Sequence, residues 1–185
     1  AQAVAEDLKR QNVRYAEIFF SPPDFYRFGL QPQRLAQAIR KGLSTVSGAQ
    51  ISLIADVVRD FGPEKALHTL GQIAEVRGEG VIGIGLGGSE QNFPPELFTH
   101  VFEQARKLGM HTTAHAGEAA GAQSIWGAVR ELRTERIGHG TRAVEDPALL
   151  DYLARTQTPI EMCPLSNVRT NVVNDLRSHP VRQFF

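Results

Sequence analysis

Apolar residues fall along this chain in two alternating rhythms, short β-branched runs and longer stretches with helical spacing. Ala1–Arg10 reads as a short helix and Tyr15–Phe20 as a strand that Ser21-Pro22-Pro23 stops. In Gln33–Ser47, Leu35, Ile39, Leu43 and Val46 line one side of an amphipathic helix. Ile51–Val58 is a predicted strand, Pro63–Arg77 a helix opened by a first-turn proline, and Val81–Leu86 another strand. Phe93-Pro94-Pro95 opens a helix running to Leu108, with Gly109 as its stop. Then follow the strand His111–His115, the helix Gln123–Leu132, the strand Arg136–His139, the helix Pro147–Arg155 and the strand Pro159–Met162. His179-Pro180 begins a last helix that reaches Phe185.

Strands that alternate with helices form a parallel sheet covered by helices, either an open doubly wound sheet or a closed (β/α)8 TIM-type barrel. The polar residues favour the barrel. Gly88, His115, Glu118, His139 and Asn167 lie at or just beyond the C-terminal ends of four different strands. A barrel gathers its strand ends around one mouth, whereas an open sheet concentrates ligands at its switch point. A complete barrel takes about 250 residues, so these 185 residues correspond to a single partial domain of six units, roughly two short.

Composition narrows the function classes. Lys plus Arg and Asp plus Glu each number 20 and cancel, with no long block of either sign, which argues against a general affinity for nucleic acid or anionic membrane. Hydrophobic residues make up 42%, enough for a core, yet no stretch approaches the roughly 18 apolar residues of a membrane helix. The first residues lack the apolar core of a signal peptide, and Cys163 is the single cysteine, so no internal disulfide forms. The expected setting is cytoplasmic.

The chemistry sits in punctuated motifs at strand ends. His115-Ala116-Gly117-Glu118 places an imidazole and a carboxyl around a tight turn. A neutral imidazole there suits a zinc-like ion, and a carboxyl shielded by such a pocket can donate a proton near neutral pH. The plainer alternative is a capped turn in which Glu118 bonds nearby backbone amides. His139, between Gly138 and Gly140, is open to act as base or electrostatic partner, or is a half-buried histidine bonded to a carbonyl. His68, His100, His111 and His179 read as structural or solvated.

Gly83-Ile84-Gly85-Leu86-Gly87-Gly88 matches G-x-G-x-x-G literally, but Ser89–Phe93 intervenes before the next helix and the following strand ends in His115. A glycine-lined strand end open to a flat ligand explains it better than a dinucleotide fold. In Cys163-Pro164-Leu165-Ser166-Asn167, Pro164 stiffens a turn, Ser166 and Asn167 offer hydrogen bonds, and Cys163 reads as a buried structural thiol rather than a nucleophile. Asp56 shares a strand face with Ser52, Ile54 and Val58, a face the barrel turns inward, where a carboxylate needs a partner.

Taken in order, HAGE, RIGHGTR and IEMCPLSN resemble the adenosine deaminase family of metal-dependent amidohydrolase-type barrels, and YAEIFFSP, GIGLGGSE and the terminal HPVRQFF extend the likeness over essentially the whole chain. The resemblance implies a (β/α)8 barrel holding one zinc that activates water for attack on C6 of a purine, releasing ammonia. It gives His115 the role of a zinc ligand, Glu118 that of the acid protonating purine N1, His139 that of orienting and helping to deprotonate the water, and Gly88 a backbone-amide contact to the purine. The family's H-x-H pair and paired aspartates have no counterpart here, and Gly85, Ser89 and Phe19 stand where acidic residues and an arginine are frequent. Adenine, aminodeoxyfutalosine or modified adenosines therefore stand beside adenosine as substrates. A noncatalytic barrel homologue with a purine-binding or assembly role is the alternative. The signature H-x-E…P-C-x-x-C of the cytidine-type zinc deaminases is absent. Unpaired edges at the first and last strands are expected to favour self-association.

Overall fold

A computed structural model describes residues 1–185. In chain order it runs α1 (Gln2–Arg10), β1 (Tyr15–Phe20), α2 (Pro32–Leu43), β2 (Gln50–Asp56), α3 (Gly62–Ala74), β3 (Val81–Gly85), α4 (Thr99–Lys107), β4 (His111–Ala116), α5 (Ala122–Arg130), β5 (Arg136–His139), α6 (Pro147–Thr156), β6 (Ile160–Glu161) and α7 (Pro164–Arg169). All strand pairings are parallel, and the order in the sheet is the order in the chain, β1 to β6. This is an α/β architecture matching part of a TIM barrel, six strands of a curved wall with helices outside.

Side-chain alternation separates two environments. Outward-facing Leu53, Ala55, Ile84, Leu86, Ala114 and Ile137 are fully buried and join one cluster of 29 apolar residues with Leu70 and Ile73 of α3, Phe102 of α4, Ile125 of α5 and Leu153 of α6. The strand register places Glu17, Phe19, Ser52, Ile54, Asp56, Gly83, Gly85, Thr113, His115, Arg136, Gly138 and Glu161 on the opposite, concave face. Barrel interiors are usually filled by layers of bulky branched residues. Here glycines and polar side chains stand at most of these positions, with Phe19 and Ile54 the apolar exceptions.

The wall is curved enough for side chains to meet across it. Arg136 on β5 bonds Glu17 on β1 and lies 3.1 Å from Glu161 on β6. β1 and β5 are not neighbours in the sheet, so the Arg136–Glu17 contact spans the concavity. Tyr15 donates to the same Glu17 at 2.6 Å.

Several segments differ from the sequence-based expectation: the helix expected from Pro94-Pro95 runs as a 3-10 helix over Pro95–Phe98 before α4, and β6 spans two residues rather than four. Strand β2 ends at Asp56 rather than Val58, because Val58 adopts φ 40, a backbone region hostile to a β-branched residue. Pro22–Phe28, expected only as a stop, winds into a 3-10 helix ended by left-handed Gly29. Pro164, read as stiffening a turn, instead occupies the first turn of α7, where its fixed φ and missing N–H suit a helix start. The segment after His179 forms a short 3-10 helix over Pro180–Phe184, with the His179 ring accepting a bond from the Val181 amide.

Candidate functional site

At the C-terminal end of β4, His115 is on the concave face and half-buried. Its ring meets His139 at 4.9 Å between centroids, and Phe19 approaches edge-on at 6.1 Å. A Cβ on Gly85 would stand 2.8 Å from Phe19 Cε1, so the bare strand is what lets the phenyl ring lie there. Burial, then the proximity of His139 and of Arg59, lowers the His115 pKa to about 4. At neutral pH this imidazole is uncharged and keeps a lone pair for a Lewis acid.

Strand β5 delivers His139 differently. It takes φ 66, and Gly140 follows at φ 61. Two successive left-handed residues swing the chain back so that Gly140 N–H bonds Ala116 O at 2.9 Å and Arg142 N–H bonds Gly117 O at 3.0 Å. A Cβ at Gly140 would lie 2.7 Å from Ile160 Cγ2, which keeps that position bare. His139 is itself only 7% exposed.

His139 Nε2 lies 3.3 Å from Glu118 Oε2. The other carboxylate oxygen, Oε1, accepts a bond from Thr170 on the turn closing α7, at 3.2 Å. Behind the imidazole, Asn167 Nδ2 is 3.1 Å from His139 Nδ1, while Asn167 Oδ1 accepts from Thr141 Oγ1 and faces His179 Nε2, each at 3.1 Å. With Oδ1 so engaged, Asn167 donates through Nδ2, and the neutral tautomer of His139 carries its proton on Nε2, towards Glu118.

The HAGE turn itself is held by a residue that sequence reasoning passed over. Glu90, 4% exposed, accepts the amides of Gly117 (2.5 Å), Glu118 (3.1 Å), Ala119 (2.7 Å) and Ala120 (3.0 Å). A carboxylate does cap these amides, but it is Glu90 and not Glu118. Glu118 is thereby free to face His139.

Of the residues picked from sequence, His115, Glu118, His139 and Asn167 come together. Gly88 lies on the adjoining loop after β3 at φ 96, its backbone against Arg59 and Asp60, and Ser89 bonds Asp60 through both its amide and its hydroxyl. His179 is not solvated; it is 6% exposed and belongs to the Asn167 network. Cys163 is exposed rather than buried, and desolvation with nearby Glu161 and Glu118 raises its pKa, which disfavours the thiolate. Asp56 does face the concave side, 8% exposed; burial raises its pKa to about 6 against the lowering influence of the Gly87 backbone and of Arg59, and Oδ1 has no hydrogen-bond partner. Arg59 and Thr170 gave no signal in the sequence, since each lacks a motif of its own, and Thr141, within RIGHGTR, was not singled out.

No group of three or more histidine, cysteine or carboxylate side chains is arranged to hold a metal ion in these residues. His115 fits one position of such a centre, not the whole of it.

The sequence model of the family described as "Adenosine deaminase" matches residues 1–185. The chain is 44% identical to an adenosine deaminase of Edwardsiella ictaluri over 185 residues, 97% of this chain and 55% of that protein. It is 38% identical to an aminodeoxyfutalosine deaminase of Streptomyces avermitilis over 186 residues, 98% of this chain and 52% of the relative. Among solved structures, an adenine deaminase from Arthrobacter aurescens superposes with a TM-score of 0.93 at 33% identity, covering 99% of this chain and 57% of that one. An amidohydrolase from Burkholderia ambifaria, solved with bound Zn, gives 0.91 at 29% identity over 99% of this chain and 52% of its own. The chain thus spans about half the length of the curated relatives it matches. With the motifs, the parallel wall and the family match all agreeing over its full length, the chain belongs to the adenosine deaminase family.

Proposed function

We propose that these residues form the acid–base side of a zinc-dependent hydrolytic deaminase acting on adenosine or a related 6-aminopurine such as adenine or aminodeoxyfutalosine. The observation that carries the reading is the convergence of Glu118 and His139 at 3.3 Å beside the neutral ring of His115. In this reading Glu118, as a carboxylic acid, gives its proton to purine N1 and makes C6 electrophilic. Water adds at C6, the exocyclic C–N bond breaks, the amine leaves as ammonia, and a 6-oxopurine remains. His139 orients the water and, in the tautomer with its proton moved from Nε2 to Nδ1, takes up the water's proton on Nε2 as the C–O bond forms and passes it to the departing amine, while the C6 hydroxyl proton returns to the Glu118 carboxylate. The Gly88 amide contacts the purine ring. A bound zinc, with His115 as one ligand, would supply a water whose pKa falls from about 16 towards 7.

A single histidine falls short of the three or more protein ligands of stable zinc sites. The 185-residue chain by itself is therefore expected to hold zinc weakly and to release no ammonia.

Grafting residues 1–185 into the matching region of an active adenosine deaminase tests the proposal. The zinc-loaded chimera is expected to release ammonia from at least one of adenosine, adenine and aminodeoxyfutalosine. Glu118→Gln should lower kcat by about 100-fold or more while zinc content stays constant. A folded chimera that binds zinc and deaminates none of the three would exclude the deaminase reading. Ammonia release by the isolated chain would exclude the expectation of inactivity.

A further inference from the structure

We infer that Arg59 and Glu90 form a two-residue clamp that positions His115 and Glu118, with Glu90 the positioning residue for the proposed acid. The inference rests on the role given to Glu118 above. Neither residue belongs to the group that would meet a purine, and nothing about the reaction requires them to touch one.

The geometry divides the work by charge. Arg59, fully buried, directs its guanidinium at carbonyls: Nη1 donates to Phe93 O at 2.8 Å, and Nη2 to His115 O at 2.7 Å and to Leu86 O at 3.3 Å. It stands just after β2 and so ties together the chain ends of β3 and β4. Glu90, just after β3, directs its carboxylate at amides, the four of residues 117–120. Among the carboxylates whose charge acts on Arg59, Glu90 is foremost. A buried cation thus fixes the carbonyl of the proposed metal ligand, while a buried anion fixes the amide of the proposed acid.

Local backbone supports the same assignment. Val58 accepts φ 40 immediately before Arg59, and strained backbone of this kind persists only where the surroundings over-determine it. Gly117 takes φ 75, and a Cβ there would collide with Ile125 Cδ1. The turn therefore has no room for a Cβ at Gly117 beside Ile125, and its amides are bonded to the Glu90 carboxylate. Four consecutive N–H groups pointing at one anion make a nest, an arrangement that normally recognises a free ligand anion and here holds a side chain. Because Glu90 satisfies the backbone of the turn, the Glu118 side chain has no competing local partner and turns to His139.

The clamp is contained within residues 59–120 and can be examined in the 185-residue chain by NMR. Amide hydrogen exchange reports the nest, and the ring 15N signals of His139 report whether Glu118 still lies beside Nε2. Glu90→Gln keeps the shape but puts an amide group against the four donors. It is expected to speed exchange at residues 117–120 by about tenfold or more and to shift the His139 Nε2 resonance. Exchange at Leu53 and Ile84, in the neighbouring strands, should stay within about twofold. Glu90→Asp keeps the charge and should recover part of both signals; it also serves as the readout if the glutamine variant does not fold. Unchanged exchange at 117–120 and an unmoved His139 resonance in the folded variants would overturn the inference. Loosening spread evenly over all six strands would overturn it too, since that is the result of a general loss of stability. Absence of ammonia release from the chimera would remove the deaminase reading and leave these spectra as they are, so the two failures are distinguishable.

Discussion

Asn167 is the residue on which His139 turns. It is fully buried, its amide nitrogen faces Nδ1 of His139, and its oxygen engages Thr141 and His179. Replacing it with alanine strands three polar partners in a closed space, and each buried unpaired group costs free energy. Asn167→Ala is expected to lower unfolding stability by about 1–3 kcal/mol in urea titration and to change the tautomer of His139 seen by NMR. Unaltered stability together with an unaltered tautomer would refute this account. At this scale the sequence was partly readable. His115, Glu118 and His139 announce themselves because glycines and strand ends frame them. Glu90 and Arg59 do not, because their partners are backbone groups, and the sequence carries no mark of which amide or carbonyl a side chain will meet. For His179 both a structural and a solvated place stood open, and the fold decides for the structural one by delivering Asn167 to it.

Strand β2 shows what an element can tell and what it cannot. Alternation correctly set Ser52, Ile54 and Asp56 on one face, and the wall turned that face inward. Its last two expected residues failed because apolar Val57 and Val58 look like strand, yet Val58 takes φ 40 as the chain turns towards Arg59. Asp56 carries a pH dependence of its own. Its folded-state pKa of about 6 lies above the ordinary 3.8, so between these values the native state binds the proton more tightly than the unfolded chain. Its contribution is therefore most favourable below about pH 4 and is lost as pH rises through about 6. Asp56→Asn is expected to raise stability at pH 7 by about 1–3 kcal/mol relative to wild type, with the difference shrinking towards pH 4. Denaturant titrations at pH 4, 5, 6 and 7 provide the check, and a difference that does not vary with pH would contradict it. Helix α7 marks the opposite error. Pro164 reads as stiffening a turn, but proline is also suited to the first turn of a helix, and it occupies that position in α7.

In the whole molecule, the alternation of strand and helix narrowed the architecture to an open doubly wound sheet or a barrel, and the polar residues at four strand ends favoured the barrel. The barrel expected from the sequence implied a curved wall, and the structure has that curvature. It is visible in Arg136 reaching Glu17 across 119 positions of sequence, a contact no local pattern encodes. The sheet has two free edges, β1 and β6. A cavity of about 660 Å³ beside β6 is lined by Leu150, Leu153, Ile160, Met162, Val181 and Phe184, so apolar surface adjoins the second edge. Open edges of this kind pair with other chains. The isolated chain is expected to elute from size exclusion with the mass of at least two copies and to dissociate on dilution; a compact monomer at all concentrations would count against it.

Strand order equal to chain order also bears on how the molecule comes to exist. Each strand finds its partner in the unit just made, so loops to be closed are short and the average contact is local. Chains of this type can assemble progressively as they leave the ribosome, one βα unit docking on the last. Arg136 to Glu17 is the exception. That bridge can form only after four units have curved far enough to bring the start of the wall opposite its fifth strand, which makes it a late reporter of folding rather than a nucleus.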